Sequence, residues 1–206
     1  MPRPHGGRLV DRFTTPSRKT EAAEEASRLP VIEVSHETRL DLENVASGLY
    51  SPLTGPMTQN DYLTVLAKGR LSDDLPWTVP ILLDVSDEAA KGFGEGDTVT
   101  LMCEGDPFAK LTVEEKYGWD KEVHSERVYK TTDKAHPGVA KTYGRNDTLV
   151  GGPIEVFDES PGKFPRYRLK PRETRFLFKE KGWRTVAGFQ TRNAPHIGHE
   201  YVQKTA

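Results

Sequence analysis

The pattern of apolar and turn residues changes near residue 165, and this change limits the folds that the chain can adopt. Between residues 78 and 165, short apolar runs alternate with turn residues, which is typical of strands in a mixed sheet. After residue 165 the order becomes helix, short apolar strand, Gly/Asn/Pro loop and helix, as at the start of an open parallel α/β sheet. We predict an α+β chain with a lead-in over 1–18 that is either mobile or a late-docking strand, a mixed β domain over 19–165 and an incomplete second domain over 166–206.

Four local patterns give specific expectations for these units. The apolar run over 78–85 predicts a strand buried on both faces. Residues 131–147 have the composition of a loop. Thr58 with Asp61 predicts a helix start of the capping-box kind. Residues 184–190 (RTVAGFQ) predict a short buried strand that leads into the final loop and helix.

Composition excludes several classes of protein. The net charge of −2 argues against a general nucleic-acid binder, which needs a basic excess. No apolar run is long enough to span a bilayer, and the N-terminus lacks the apolar core of a secretory signal. The single cysteine, Cys103, excludes an internal disulfide and a cysteine-rich metal site. We therefore expect a cytoplasmic protein without nucleic-acid or membrane partners.

The side chains suited to chemistry are concentrated between Gln190 and His199. A helix N-terminus attracts anions because its first N–H groups lack partners and its dipole is positive there. Arg192 adds a permanent cation that can hold an oxyanion through two parallel hydrogen bonds, and Gln190 and Asn193 add amide donors. His196 and His199 are three residues apart, so both are expected on one face of the first helical turn.

This group of donors contains no obvious nucleophile, and Gly198 between the histidines leaves room for close approach of a ligand. Such a set suits transfer at phosphorus, where positioning and charge stabilisation supply most of the catalysis. The alternatives are a structural histidine pair or a metal site, but no third metal ligand is nearby. We predict an anion or nucleotide site without a protein-bound metal.

The string QTRNAPHIGH, residues 190–199, closely resembles the Q-x-R-N-P-x-H-x-x-H motif of the ATP sulfurylase (sulfate adenylyltransferase) family. Its last four letters are the HIGH signature of the nucleotidyltransferase superfamily. The upstream segments SGLYSPLTGPMTQNDY, WTVPILLDVS, TTDKAHPGV and VGGPIEV are also similar to segments of that family, so the agreement runs from about residue 40 onward. One departure is Ala194, which stands where the family has proline, with Pro195 following.

The resemblance implies a fold and a reaction. The fold is a PUA-like mixed β-barrel domain with peripheral helices, followed by the first strand and helix of a Rossmann-like nucleotidyltransferase domain. The reaction converts ATP and sulfate into adenosine 5′-phosphosulfate and pyrophosphate, a step of sulfur metabolism and sulfate assimilation. Magnesium is expected to arrive with ATP, and the full-length enzyme is expected to be a homo-oligomer.

The resemblance also implies roles for residues of the motif. Thr191, Arg192 and Asn193 correspond to the catalytic loop, and Gln190 and Arg192 to the sulfate-binding residues. ATP is expected to contact the following residues: Gln190, Thr191, Arg192, Asn193, His196 and His199.

The catalytic domain of that family continues far beyond this motif, so we expect the chain to be a truncated portion that is inactive alone. Two alternatives remain open. One is a non-catalytic PUA-like module for binding or oligomerisation. The other is a different HIGH-type adenylyltransferase, although small members of that superfamily carry the motif near their N-terminus.

Overall fold

The computed structural model describes residues 3–162 and 164–206, so positions 1, 2 and 163 of the predicted segments lie outside the described residues. The α-helices are α1 Lys19–Ala26, α2 His36–Ala46, α3 Gln59–Lys68, α4 Asp87–Ala90, α5 Lys121–Tyr129, α6 Pro137–Tyr143, α7 Pro171–Glu180 and α8 Ile197–Thr205. The strands are β1 Val31–Glu33, β2 Leu83–Val85, β3 Thr98–Cys103, β4 Asp106–Thr112, β5 Glu115–Gly118, β6 Thr148–Gly151 and β7 Ile154–Val156.

The strands form two sheets around one core. Four strands lie in the order β1-β3-β4-β7, with β1 parallel to β3 and the other pairs antiparallel. Three strands lie in the order β2-β6-β5, all antiparallel. Residues of both sheets supply the core, and Leu101, Phe108, Leu149 and Ile154 are completely buried. This mixture of sheets and peripheral helices confirms the predicted α+β class.

A loop over residues 54–57 connects the two sheets at the break between β6 and β7. The N–H of Gly152 donates to the carbonyl of Pro56 at 3.1 Å, and the N–H of Ile154 donates to the carbonyl of Thr54 at 2.9 Å. A Cβ on Gly55 would lie 1.8 Å from the carbonyl oxygen of Gly152. Only glycine lets the two backbones pass this closely.

Part of the N-terminal lead-in lies along β7. The N–H of Val156 donates to the carbonyl of Arg12 at 2.9 Å, and the N–H of Thr14 donates to the carbonyl of Val156 at 2.8 Å. The Arg12 Nε donates to the carbonyl of Ile154 at 2.6 Å. Residues 12–14 therefore continue the edge of the four-stranded sheet.

The structure corrects three local predictions in the first unit. The strand predicted over 78–85 is limited to Leu83–Val85, since Pro80 has no N–H for a sheet ladder. The loop predicted over 131–147 contains α6, which His136 caps by accepting the N–H of Gly138 at 3.2 Å. Thr58 precedes α3 without a side-chain cap.

The strand predicted over 184–190 is also absent. Within the described residues, no strand lies beside this segment to complete a hydrogen-bonded ladder, and its side chains are exposed. The flanking helices α7 and α8 form as predicted, but neither buries a described residue. None of the helices in the described chain has the length and apolar character required to cross a membrane.

Candidate functional site

The two histidines of the motif cap the start of α8. His196 is the N-cap residue, and its Nδ1 accepts the N–H of Gly198 at 3.2 Å. The Nδ1 of His199 accepts the N–H of His196, also at 3.2 Å. The prediction that both histidines belong to the first helical turn is wrong for His196, because the helix begins at Ile197. The caps also form hydrogen bonds with N–H groups at the start of α8, which we had expected to be free to bind an anion.

These hydrogen bonds define the neutral tautomer of each ring. An Nδ1 atom that accepts a hydrogen bond carries no hydrogen, so the ring hydrogen is assigned to Nε2. The Nε2–H of His199 then donates to the Thr191 hydroxyl at 3.3 Å. Assigned in the same way, the Nε2–H of His196 is a donor that makes no hydrogen bond within residues 3–162 and 164–206. In these tautomers each capping histidine carries a neutral Nε2–H donor.

Thr191 connects this histidine pair to the loop. Its hydroxyl accepts the N–H of Asn193 at 3.1 Å and donates to the carbonyl of Asn193 at 3.4 Å. Together with the bond from His199, the hydroxyl uses its donor and both lone pairs. Sequence reasoning missed this role of Thr191, although a threonine hydroxyl that accepts the N–H two residues further on is typical of a hydroxyl-stabilised turn.

The rings of the two histidines are in contact, with centroids 3.9 Å apart and planes inclined at 51°. The Phe189 ring meets His199 edge-on, with centroids 5.9 Å apart. A Cβ on Gly198 would lie 3.0 Å from the Cε1 atom of His196. Gly198 therefore makes room for the His196 ring, whereas the sequence had suggested that it makes room for a ligand.

Arg192 and Gln190 lie on the same loop and are exposed. In the part of the chain that the structure describes, neither side chain makes a hydrogen bond or an ion pair, so the donors of both remain available to a ligand. Glu200 is the acidic residue in the first turn of α8. Its carboxylate forms an ion pair with Lys204 of the same helix at 2.5 Å, so its charge is compensated within α8. The loop therefore presents one uncompensated cation and several neutral donors, an arrangement that favours an anion.

The structure thus brings four of the predicted site residues into direct contact: Thr191, Asn193, His196 and His199. Gln190 and Arg192 flank Thr191 in the sequence, but among the described residues their side chains make no hydrogen bond to that group. Among the described residues, no three His, Cys, Asp or Glu side chains come together in a way that suits a metal ion.

Two family profiles match separate parts of the chain. The profile of a PUA-like domain matches residues 2–159, and the profile named ATP-sulfurylase matches residues 165–206. The second match contains the whole motif and its capped helix.

Curated relatives match along the entire chain. A sulfate adenylyltransferase of Hyperthermus butylicus is 55% identical over 204 residues, which are 99% of this chain and 52% of the relative. The sulfate adenylyltransferase of Thermococcus onnurineus is 50% identical and that of Chloroflexus aurantiacus 44% identical, again over 99% and 100% of this chain. The chain spans about half the length of the curated relatives it matches.

A solved structure shares the fold. The protein described as a hexameric APS kinase from Thiobacillus denitrificans superimposes with a TM-score of 0.76 at 27% sequence identity. The superposition covers 98% of this chain and 36% of that one.

Proposed function

Since the chain belongs to the PUA-like domain family and is similar over its whole length to sulfate adenylyltransferases, we propose that it contributes the oxyanion and ATP-phosphate site of such an enzyme. The reaction is ATP plus sulfate to adenosine 5′-phosphosulfate plus pyrophosphate, which places the enzyme in sulfur metabolism. The observation that carries the proposal is the donor set around the hydrogen-bonded Thr191–His199 pair, with Arg192 uncompensated beside it.

In this reaction the protein's task is to hold two anions together. A sulfate oxygen attacks the α-phosphorus and forms the new S–O–P link. The bond from that phosphorus to the oxygen shared with the β-phosphate breaks, and its electron pair leaves with pyrophosphate. No protein nucleophile is required, so positioning and charge stabilisation carry the catalysis.

The residues of the loop divide this task by their chemistry. Arg192 pairs with sulfate through its planar fork of donors, and Gln190 adds an amide donor to the same anion. The Nε2–H of His196 donates to the ATP phosphates, where negative charge grows as pyrophosphate leaves. Thr191 and Asn193 keep the loop and the His199 ring in place.

Magnesium belongs to the nucleotide in this proposal. The loop offers a guanidinium, amides and imidazole donors, and its nearest acid, Glu200, is paired with Lys204. Mg²⁺ prefers carboxylate and phosphate oxygens, so this donor set does not suit a protein-held ion. The ion neutralises charge on the phosphates when it enters with ATP.

The test is pyrophosphate release from ATP and sulfate by an enzyme that contains this chain. One such enzyme joins residues 1–206 to the part of the Hyperthermus butylicus relative that this chain does not match, since the matched part is 55% identical. We expect Arg192→Ala to lower turnover by roughly 100-fold or more, because it removes the charged partner of one substrate. The matched control is Arg184→Ala, another exposed arginine of the same segment, which should leave turnover unchanged.

Near-normal turnover of the Arg192→Ala enzyme would show that the assigned role is wrong. Absence of both turnover and ATP-binding heat in the joined enzyme would favour the alternative of a non-catalytic PUA-like module. We also propose that the enzyme is a homo-oligomer, with support from the solved relative described as hexameric. Light scattering of the joined enzyme measures its mass, and a monomer would contradict this part.

A further inference from the structure

A buried carboxylate, Glu43 of α2, lies where the first unit meets the segment that leads to the candidate site. Its side chain is completely buried. Oε1 accepts the Nε–H of Arg39 at 3.0 Å and the backbone N–H of Ser160 at 2.8 Å. Oε2 accepts from the guanidinium of Arg168 at 2.8 Å. Two of these three donors therefore belong to the connecting segment.

Arg39 and Arg168 also make hydrogen bonds of their own to the start of the connecting segment. Arg168 also donates to the carbonyl of Ser160 at 2.6 Å, so these two residues of the segment are bonded to each other as well as to Glu43. Arg39 donates to the carbonyl of Asp158 at 3.2 Å and to its carboxylate at 3.1 Å. We call Arg39, Glu43, Asp158 and Arg168 the Glu43 network.

A second set of contacts lies at the start of α7. The Nζ of Lys170 pairs with Glu159 at 2.6 Å and lies 3.7 Å from the centroid of the Phe13 ring. Lys170 is also the N-cap residue of α7, and its N–H donates to Glu173 at 2.7 Å. The N-cap residue that precedes the helix is therefore in contact with the first unit.

These contacts contrast with the composition of the segment. Residues 159–168 include Pro161, Gly162 and Pro165, and Gly162 has a φ of 65°. Segments of this kind are usually flexible connections between units. Here, however, a carboxylate that has lost all contact with water needs its charged donors, because an unpaired buried charge is strongly unfavourable. The donors that the buried Glu43 carboxylate requires therefore hold the segment against α2.

We propose that the Glu43 network fixes the orientation of the connecting segment and of α7, which follows it, relative to the PUA-like unit, with Arg168 as its positioning residue. The orientation follows from the contacts alone. Only the consequence for turnover rests on the proposed function.

The direct test measures a distance across the connection. Nitroxide labels are attached at Lys68→Cys on α3 and Lys179→Cys on α7, both exposed positions. Cys103 stays in place because it is buried. We expect a narrow distance distribution in the labelled parent, a clearly broader one after Arg168→Gln, and partial recovery with Arg168→Lys, which restores the charge facing Glu43.

The matched control is Arg166→Gln, since Arg166 is a neighbouring exposed arginine outside the network. Hydrogen exchange of the Ser160 amide gives an independent readout, and we expect it to become at least roughly tenfold faster in Arg168→Gln. A distance distribution and an amide exchange rate that both match the parent would overturn the proposal. Arg168 is chosen over Glu43 because its side chain is 34% exposed, so its replacement leaves the buried Arg39–Glu43 pair intact.

Turnover of the joined enzyme tests the functional consequence. We expect Arg168→Gln to lower kcat/KM by about tenfold and Arg168→Lys to recover most of the loss. Unchanged turnover together with a broadened distance distribution would overturn the positioning role. If the parent itself has no turnover, the proposed function fails, whereas the distance measurement still decides the orientation.

Discussion

At the scale of single residues, Thr191 determines the shape of the candidate site. Its hydroxyl joins the His199 ring to both backbone groups of Asn193. A hydroxyl with all its bonds made holds one rotamer, and the histidine that it contacts also caps α8. The rigidity of the loop therefore depends on a side chain that carries no charge.

We predict that Thr191→Val lowers kcat of the joined enzyme by about tenfold, because it removes the partner of the His199 Nε2–H while it preserves the shape of the side chain. Thr191→Ser keeps the hydroxyl and should retain most of the activity. Steady-state pyrophosphate release measures both variants. Equal rates for the valine and serine variants would contradict the role of the hydroxyl.

Residue types and spacing were enough to predict a candidate site in this segment, but not its hydrogen bonds. Residue types and spacing between Gln190 and His199 indicated an anion site at a helix start. The reciprocal caps of the two histidines depend on the backbone path through Pro195 and Ile197, which residue types alone do not determine. For the same reason the role of Gly198 beside the His196 ring emerged only from the structure.

At the scale of elements, α5 and α3 are joined through a buried imidazole. The His124 ring stacks on Tyr62 with centroids 5.9 Å apart and meets Trp119 edge-on at 5.1 Å. Its Nδ1 is 3.3 Å from the Tyr62 hydroxyl. Burial, assisted by the charge of Arg145, lowers the pKa of His124 from 6.5 to about 4.

This pKa shift predicts a loss of stability in mild acid. Between pH 6.5 and about 4, the unfolded chain binds a proton at His124 and the folded chain does not, so the free energy of unfolding falls as the pH falls. The expected loss is about 3 kcal/mol by pH 4. Urea titrations at several pH values measure it. His124→Phe should flatten this dependence, and the exposed control His36→Gln should not.

The loop over residues 54–57 passes close to the break between β6 and β7, and this close approach leads to a second prediction. We expect Gly55→Ala to destabilise the first unit by about 3 kcal/mol, because its Cβ would overlap the Gly152 carbonyl oxygen. Gly118→Ala is the control, since nothing lies within 4 Å of a Cβ there. Thermal melts followed by circular dichroism compare the two variants, and equal melting temperatures would refute the tight crossing.

The predicted elements differ from the observed ones where one residue overrides a pattern. Pro80 shortened the strand over 78–85, and Pro137 allowed a helix where loop-forming residues dominate. The segment over 184–190 shows that an apolar run does not make a strand without a partner.

At the scale of the whole molecule, the two parts of the chain differ in burial. The first part surrounds a continuous core, whereas large apolar side chains of the second part are exposed, among them Phe176, Ile197 and Tyr201. Exposed apolar patches of this kind usually mark a surface that another polypeptide segment covers.

We therefore predict that residues 1–206 alone release little or no pyrophosphate, because the loop that carries Arg192 is held by local contacts only. The joined enzyme should be active under the same conditions. The same pyrophosphate assay compares the two at equal concentration. Comparable rates would show that turnover does not require another polypeptide segment to cover the exposed apolar side chains.

The loop over residues 54–57 has a thermodynamic consequence for the first part of the chain. The carbonyl of Thr54 accepts the N–H of Ile154 in the four-stranded sheet, and the carbonyl of Met57 accepts the Tyr117 hydroxyl of β5 in the three-stranded sheet at 2.7 Å, so both sheets share partners in the same short loop. Neither sheet can lose its structure while the other keeps that loop in place. Heat should consequently melt both sheets in one cooperative step, seen as a single calorimetric peak whose van't Hoff and calorimetric enthalpies agree.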